Sequence, residues 1–247
     1  MKIRKLHTID STNTYLKDWA RKELLENFTT VVATKQTQGR GQRGNYWLSE
    51  EGKNLTFSIL IRVSNFKATR QFELNQAVSL GLLKALQKNI LADELAFLNL
   101  QVKWPNDIMA ENKKIAGILI ENTLNKQHIK HSIVGIGLNV NQTNFPSTLP
   151  VASSLKNNTQ KEFDLEKLLH EIILAIKETC SALEQGKSLE KEYLKNLYLF
   201  DAKANYKDAN NQIFEGKITG ITPEGKLQIC TTDNVNRSFG FKEIVFL

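Results

Sequence analysis

Hydrophobic periodicity changes along this chain, and that change constrains the fold more than any other feature. Strand-like and helix-like spacing alternate over most of the sequence, with residues 55–63 as the clearest strand pattern and residues 165–183 as the clearest amphipathic helix. Beyond Phe200 only short segments remain, separated by turn residues. The sequence therefore predicts an α+β fold followed by a small all-β unit.

The spacing of apolar residues predicts the individual elements. A helix is expected to begin in the capping sequence 10–13 and to continue to about residue 24, and others are expected over 70–89, 165–183 and 189–198. Strands are expected over 29–35, 55–63, 101–104, 115–121 and 129–141, and the alternation from Leu55 to Val63 predicts a strand with its apolar side chains on one face. The β unit is too short to be stable alone, so we expect it to pack on the larger part.

Composition excludes several classes of protein. Hydrophobic residues at 41% and charged residues at 24% are typical of a globular chain and argue against disorder. Neither an apolar run of about 20 residues nor a signal sequence is present, so the sequence predicts a cytoplasmic protein without a membrane segment. The 33 Lys and Arg residues outnumber the 26 Asp and Glu residues, which favours polyanionic partners or simply promotes solubility.

The cysteines and two histidines do not form a metal-binding pattern. Cys180 and Cys230 have no CxxC partner, so a zinc site is not supported and both are expected to be small buried residues. His128 and His131 lie three apart in a strand-like segment, which predicts that they face opposite sides.

A glycine-rich segment over residues 36–44 reads Gln-Thr-Gln-Gly-Arg-Gly-Gln-Arg-Gly. Glycine permits positive φ and lets a ligand approach the backbone N–H groups closely. Arg40 and Arg43 add guanidinium groups, whose paired donors suit phosphate or carboxylate. The segment lacks the Lys-Ser/Thr of a Walker loop, and no helix pattern follows it as in a dinucleotide fingerprint. It predicts an anion-binding loop, with a flexible basic surface loop as the alternative.

Three further segments place polar side chains beside apolar strands. A proline holds Asn106 and Asp107 at the end of a strand, although Pro-Asn-Asp is also ordinary turn chemistry. Lys114 precedes an apolar strand that Gly117 interrupts, at a point where a side chain would collide with a neighbour. Asn139 follows two glycines and offers an amide to a base or sugar. The alternative for Lys114 is an ordinary exposed lysine. The alternative for the segment before Asn139 is a core strand that contains glycines without a binding role.

Together these segments resemble the biotin–protein ligases over essentially the whole chain. The matching motifs, in the family's order and spacing, are Asp10-Ser-Thr-Asn13, the glycine loop, Lys103-Trp-Pro-Asn-Asp107, Lys113-Lys-Ile-Ala-Gly-Ile-Leu-Ile-Glu121, Val134-Gly-Ile-Gly-Leu-Asn-Val-Asn141 and Ala152-Ser-Ser-Leu155. The resemblance implies a class II synthetase-like catalytic domain over residues 1–198, with a mixed or antiparallel sheet and flanking helices. It also implies an SH3-like β barrel over residues 199–247.

The resemblance implies an ATP-dependent ligase reaction in two steps. Biotin would be activated to biotinyl-5'-AMP and then transferred to a lysine of a biotin carboxyl carrier protein, from acetyl-CoA carboxylase or a related enzyme, with release of AMP. Lys114, Arg40 and Asp107 would carry the chemistry, and Mg²⁺ would accompany ATP on ligands that the sequence does not specify.

The contacts that the resemblance implies form two overlapping sets. The residues implied to bind biotin are Ser11, Thr12, Asn13, Gln36, Arg40, Gly41, Gln42, Lys114 and Gly117. The residues implied to bind ATP and the adenylate are Gly39, Arg40, Gly41, Arg43, Gly44, Trp47, Asn106, Lys114 and Asn139. Within these sets Ser11, Thr12 and Gln36 would bond the ureido ring, and Trp47 would lie against adenine.

Two departures from the family pattern affect what the resemblance implies. Gln42 stands where the family loop often carries an arginine, which leaves the retention of the adenylate open. Only nine residues precede Asp10, too few for the helix-turn-helix module of bifunctional members. The expectation is therefore a monofunctional ligase that does not bind DNA. A homodimer formed through sheet edges remains open.

Two other functions fit parts of the sequence. A lipoate–protein ligase belongs to the same superfamily, but lipoate lacks the ureido group that Ser11, Thr12 and Gln36 would bind. A non-catalytic RNA-binding protein would spread basic residues and aromatic stacking positions along one face. Here the cations concentrate in one glycine loop.

Overall fold

The computed structural model describes residues 2–90 and 98–247, except for the side chain of Arg43. The larger part of the chain forms a seven-stranded sheet with helices on both faces, and the rest forms a five-stranded sheet. The α+β architecture with flanking helices is thus confirmed. No helix within the described ranges is long and apolar enough to cross a membrane.

The large sheet is mixed. Its strands are β1 (Ile3–Ile9), β2 (Thr30–Gln36), β3 (Leu55–Ile61), β4 (Leu100–Lys103), β5 (Asp107–Ala110), β6 (Lys113–Asn125) and β7 (His128–Leu138). They lie in the order β1-β2-β3-β7-β6-β5-β4. Only the β1–β2 pair is parallel among those recorded, because a helix crosses over between these two strands.

The helices cover the two faces of this sheet. They are α1 (Thr12–Lys22), α2 (Gln71–Asn89), α3 (Leu155–Thr159), α4 (Leu165–Glu184) and α5 (Glu190–Lys195). The helices expected over 165–183 and 70–89 are confirmed within one residue at each end, whereas the one expected over 189–198 is shorter. The elements β1, β5 and α3 were not predicted from the sequence, because each is short or carries few apolar residues.

The central strand β3 places its alternating apolar side chains on one face, as expected, and it is buried on both faces. All seven residues of β3 are buried. Leu55, Phe57, Ile59 and Ile61 belong to the large core, whereas Leu60 packs with Leu16 and Trp19 of α1. The other face therefore also carries buried residues, and two of them are polar, Thr56 and Ser58.

The C-terminal unit is a five-stranded antiparallel sheet. Its strands are β8 (Lys203–Asp208), β9 (Ile213–Ile221), β10 (Leu227–Thr231), β11 (Asn236–Phe239) and β12 (Ile244–Phe246), in the order β11-β10-β9-β8-β12. The unit packs on the part of the chain that forms the seven-stranded sheet. One contact between them is the hydrogen bond from Trp104 Nε1 to the carbonyl oxygen of Gly225, at 2.9 Å. The domain boundary at 198/199 and the closure of this sheet into a barrel stay predictions.

Candidate functional site

A cleft of about 430 Å³ lies against one face of the large sheet. Its walls are the N-terminus of α1, the glycine loop, the β4–β5 turn, the middle of β6 and β7, and β12 of the C-terminal unit. The structure brings most of the predicted site residues to this cleft. Its two ends differ in chemistry, one being buried and polar, the other half-buried and charged.

The polar end begins at the first turn of α1. Ser11, Thr12 and Asn13 are all at least 95% buried, because β1 runs into α1 beside the middle of the sheet. Ser11 is the extended N-cap residue, but its hydroxyl makes no capping bond. The Thr12 backbone N–H donates to Gln36 Oε1 at 2.8 Å, and the Thr12 hydroxyl lies 3.0 Å from the same oxygen.

Asn13 and Ser58 form the base of this end. The Ser58 hydroxyl lies 2.5 Å from Asn13 Oδ1 and 2.8 Å from Thr12 Oγ1. Gly135 makes room for Asn13, since a Cβ at Gly135 would collide with Asn13 Oδ1. Ser58 was not predicted as a site residue, because its hydroxyl lies inside a strand that is otherwise mostly apolar.

Glu121 is a second residue that the sequence analysis did not assign to the site. Its Oε2 accepts from Asn13 Nδ2 at 2.9 Å and from Arg40 Nη2 at 2.9 Å. Its Oε1 lies 3.6 Å from Lys17 Nζ. The available signal was an acidic residue at the end of an apolar strand segment.

The glycine loop folds tightly around its own backbone. Gly41 N–H donates to the Asn45 carbonyl oxygen at 2.7 Å, and a short 3₁₀ turn covers Gln42–Gly44. Gly44 has φ of +86°, in the region that favours glycine. Gly39 is buried beside Trp47. A Cβ at Gly39 would collide with the carbonyl oxygen of Trp47. The Arg43 side chain lies outside the described structure.

Trp47 lies across a flat strip formed by two glycines. Gly117 and Gly137 are register partners on β6 and β7. A Cβ at Gly117 would lie 3.2 Å from the Trp47 ring, and one at Gly137 would collide with the indole. Trp47 Nε1 is buried and has no hydrogen-bond partner within the described residues. Both glycines therefore leave space for the same indole ring, although 19 residues separate them in the sequence.

Charges dominate the other end of the cleft. Lys114 Nζ lies 2.7 Å from Asp107 Oδ1, but that oxygen has no partner with hydrogen-bond geometry among the described groups. Charge attraction therefore holds this pair. Lys103 is the register partner of Asp107 across the β4–β5 turn, so both side chains leave the same face of the hairpin.

Lys103 sits in an unusual environment for an ammonium group. Its Nζ lies 4.7 Å from the Phe246 ring centroid and 5.7 Å from that of Tyr198. Burial lowers the pKa of Lys103, and the nearby charge of Lys114 lowers it further, while Asp107 opposes the shift. Its place in the Lys103-Trp-Pro-Asn-Asp107 motif gave no sign of this environment.

Some predicted contacts lie outside the cleft lining. Asn139 is 4% exposed, and its Nδ2 donates to the Ser153 carbonyl oxygen at 2.9 Å. Gly39 and Gly44 are likewise absent from the described lining. Asn106 lines the cleft, but its Nδ2 donates to the Ile118 carbonyl oxygen at 2.6 Å. In this arrangement Asn106 and Asn139 bond to backbone carbonyl groups.

The two histidines of β7 and the two cysteines lie outside the cleft lining. The prediction for the histidines is confirmed, since His131 is buried and His128 is exposed. Burial raises the pKa of the Cys180 thiol to about 12, whereas Cys230 is only half-buried, contrary to expectation. Within residues 2–90 and 98–247, no group of three or more His, Cys, Asp or Glu side chains could hold a metal ion.

The arrangement can hold a small molecule that is neutral at one end and anionic at the other. Buried hydroxyl and amide groups at the polar end offer directed hydrogen bonds. Lys114, Lys103 and Arg40 supply positive charge near the middle and the far end, where an anion or a developing negative charge is stabilised.

Comparison with known proteins places this arrangement in a family. Residues 6–139 match the family model described as the biotin/lipoate A/B protein ligase family. The chain is 30% identical over 215 residues to the bifunctional ligase/repressor BirA of Bacillus subtilis, covering 85% of this chain and 64% of that protein. It is 31% identical over 147 residues to the human biotin–protein ligase, covering 59% of this chain and 20% of that protein.

Solved structures agree with the sequence comparison. The biotin protein ligase of Aquifex aeolicus, solved in complex with biotin and ATP, superposes with a TM-score of 0.80 and 26% identity, covering 100% of this chain and 98% of that one. The family match covers more than half of the chain, and the likeness in fold extends over all of it. The chain therefore belongs to the biotin/lipoate A/B protein ligase family.

Proposed function

We propose that this protein is an ATP-dependent biotin–protein ligase. It would convert biotin and ATP to biotinyl-5'-AMP and diphosphate, and then transfer the biotinyl group to a lysine of a biotin carboxyl carrier protein. One observation carries the proposal. A single cleft joins two kinds of surface: buried, uncharged hydrogen-bonding groups at one end and a cluster of cations at the other. Biotin has a neutral ureido ring at one end and a carboxylate at the other, which matches both parts.

In the first step, a biotin carboxylate oxygen attacks the α-phosphorus of ATP, and the bond to the leaving diphosphate breaks. Negative charge grows on the phosphoryl oxygens. Lys114 and Arg40 would lie nearest to this charge, each able to exchange its present carboxylate partner, Asp107 or Glu121, for the substrate. A preorganised donor of this kind contributes about 10²–10³-fold to the rate.

In the second step, the ε-amine of the carrier lysine attacks the carbonyl carbon of the mixed anhydride, and AMP leaves. The attacking amine must lose a proton. Asp107 would accept or orient that proton once Lys114 has turned to the phosphate. Its position beside the β4–β5 turn places it at the charged end of the cleft, near β12.

The glycine loop would close over the adenylate and exclude water, which would otherwise hydrolyse the anhydride. Arg43 and the N–H groups of Gly39, Gly41 and Gly44 would then face the phosphate, with Gln42 beside them, and the Gly41 N–H would release its bond to the Asn45 carbonyl oxygen. Trp47 would exchange part of its contact with Gly117 and Gly137 for the adenine ring. A nucleotide contact by Asn139 requires release of its bond to the Ser153 carbonyl group.

Magnesium would reach the site with the nucleotide. Asp107, which lines the cleft, and Glu121, which lies behind Asn13 and Arg40, are already paired with cations. Phosphate oxygens and water would therefore supply most of the Mg²⁺ ligands, as this ion prefers. We expect chelation by EDTA to abolish ATP–diphosphate exchange and added Mg²⁺ to restore it.

The decisive experiment is ATP–diphosphate exchange with biotin, lipoate or no acid supplied in turn. Biotin-dependent exchange supports the proposal. Exchange that responds to lipoate and not to biotin would identify a lipoate ligase. If neither acid stimulates exchange, the proposed activation of a carboxylic acid is rejected. A biotin carboxyl carrier domain, with its acceptor lysine intact or changed to Arg, then tests the transfer step by streptavidin blot.

Three further proposals concern the setting of the reaction. The cytoplasm, where ATP is abundant and thiols such as Cys180 stay reduced, is the proposed compartment. A homodimer would form through an edge strand of the large sheet, such as β1. The monofunctional role without DNA binding also stays a proposal, and a gel-shift assay with the full-length protein tests it.

A further inference from the structure

We infer that Glu121 is a specificity-determining positioning residue, which directs the hydrogen bonds of the buried end of the cleft so that they fit a cyclic urea. This inference rests on the proposed function and adds to it. The starting observation is that one carboxylate oxygen, Glu121 Oε2, holds both Asn13 Nδ2 and Arg40 Nη2 at 2.9 Å.

A carboxylate can only accept hydrogen bonds, and this property sets the orientation of Asn13. Because the amide nitrogen of Asn13 donates to Glu121, its Oδ1 must face the other way, toward Ser58. Asn13 Oδ1 is also only an acceptor. The single proton of the Ser58 hydroxyl therefore belongs to the 2.5 Å contact with Asn13.

The effect extends to Thr12. Ser58 Oγ lies 2.8 Å from Thr12 Oγ1, but Ser58 has no second proton to place there, so the lone pairs of Thr12 Oγ1 stay available. Thr12 itself donates its hydroxyl proton to Gln36 Oε1 at 3.0 Å. Gln36 Oε1 also receives the Thr12 backbone N–H at 2.8 Å, which leaves Gln36 Nε2 as the donor of that side chain.

The outcome is a defined set of groups at the cleft. The Thr12 oxygen presents lone pairs, since its proton is used within the network, and the Gln36 amide presents N–H. A cyclic urea has two N–H donors and one carbonyl acceptor, so it fits such a mixed set. A dithiolane or a plain alkyl chain would leave these buried groups without partners, which is strongly unfavourable.

Glu121 also connects this end to the glycine loop. Arg40 is the loop residue that Glu121 holds, through the same oxygen that holds Asn13. Lys17 of α1 adds a second positive charge at 3.6 Å. Because the Glu121 side chain is 23% exposed, its contribution comes from these directed contacts more than from burial.

The test uses the full-length chain and compares two ligands. The Kd of biotin is measured by titration calorimetry, and octanoate, which has no urea, is measured as a competitive inhibitor of biotin-dependent exchange. We expect Glu121→Ala to raise the Kd of biotin about tenfold or more, with the Ki of octanoate changed less than about twofold. Ser58→Ala, which cuts the next bond in the network, should have the same selective effect.

Glu121→Gln is the conservative variant, because its Oε1 can still accept from Asn13. It should keep the biotin Kd within about threefold of the wild type while weakening the tie to Arg40. Glu73→Ala, which removes a partly exposed ion pair with Arg70, is the control and should change neither ligand constant.

The inference is overturned if Glu121→Ala weakens biotin and octanoate equally, or if Ser58→Ala leaves biotin binding unchanged. Should Glu121→Ala fail to fold, Ser58→Ala and Glu121→Gln decide in the same way. A wild-type protein that binds octanoate as well as biotin would instead reject the proposed function, which keeps the two failures apart.

Discussion

The two ends of the cleft solve different physical problems. At the polar end, Thr12, Asn13 and Ser58 are almost completely buried and bonded to one another, so shape and donor direction decide what binds. At the charged end, Lys114 and Asp107 keep 31% and 24% of their side-chain surface exposed, and attraction between charges holds them. In the proposed reaction, the recognition of biotin and the chemistry would therefore depend on different residues, held in place by different forces. Mutations should therefore affect binding at one end and rate at the other.

The largest effect is expected at the charged end. Lys114→Met removes the cation that we propose to lie nearest to the developing phosphoryl charge, and we expect kcat of biotin-dependent ATP–diphosphate exchange to fall about 10²–10³-fold. Lys113→Met, at the exposed neighbouring position, is the matched control and should keep its activity. Equal losses in both variants would contradict a special role for Lys114.

The next effect is expected at the polar end. Gly135→Ala places a methyl group against Asn13 Oδ1, and we expect the free energy of unfolding to fall by about 1–3 kcal/mol together with biotin affinity. Urea denaturation and calorimetry measure the two effects. Gly220→Ala is the control in β9, since its Cβ would meet only Gln228 Oε1, at 2.9 Å, at the end of a flexible side chain. A change in kcat without a change in biotin binding would contradict the expectation that the polar end controls binding.

A smaller effect is expected where the C-terminal unit supports the charged end. Trp104→Phe removes the Nε1–H donor to the Gly225 carbonyl group and should lower stability by about 1 kcal/mol. Trp19→Phe removes a similar indole bond, to Glu23 at 2.9 Å, and serves as the control. Both variants should be measurably less stable, but only Trp104→Phe should reduce kcat/KM for exchange. Equal kinetics in the two variants would mean that the C-terminal contact does not support catalysis.

The smallest effect concerns the pH dependence of Lys103. Burial lowers its pKa in the folded protein, so the unfolded chain binds more protons at this residue between the folded pKa and the ordinary lysine value of about 10.4. The ammonium therefore lowers the stability of the folded protein at neutral pH, and this penalty is lost as the pH rises from the folded pKa to the ordinary lysine value of about 10.4.

Lys103→Met removes this penalty. The variant should be more stable than the wild type near neutral pH, and its advantage should shrink as the pH rises toward about 10.4. Urea unfolding of both proteins at a series of pH values measures the difference. An advantage that grows with pH would contradict the assigned sign.

Much of the fold followed from the sequence because periodicity reports burial. The helix over Leu165–Glu184 and the strand over Leu55–Ile61 have regular apolar patterns, and both are confirmed. The α+β class followed from their order along the chain. By contrast, β1 reads Ile-Arg-Lys-Leu-His-Thr-Ile and lies at the edge of the sheet, with no residue fully buried. Its pattern is too weak to predict a strand without its partner.

For the cleft, the sequence determined which residue types are present, and the motifs located most of them. The tertiary structure alone decided which of them meet. Gly135 leaves space for the Asn13 side chain, and Gly117 and Gly137 leave space for the Trp47 ring. In each case more than 60 residues of chain separate the glycine from the side chain. Glu121 becomes a shared acceptor only when β6, α1 and the glycine loop pack together. The physical reason is that hydrogen bonds and close contacts depend on distances of a few ångströms between atoms, whereas sequence patterns report only the average environment of each residue.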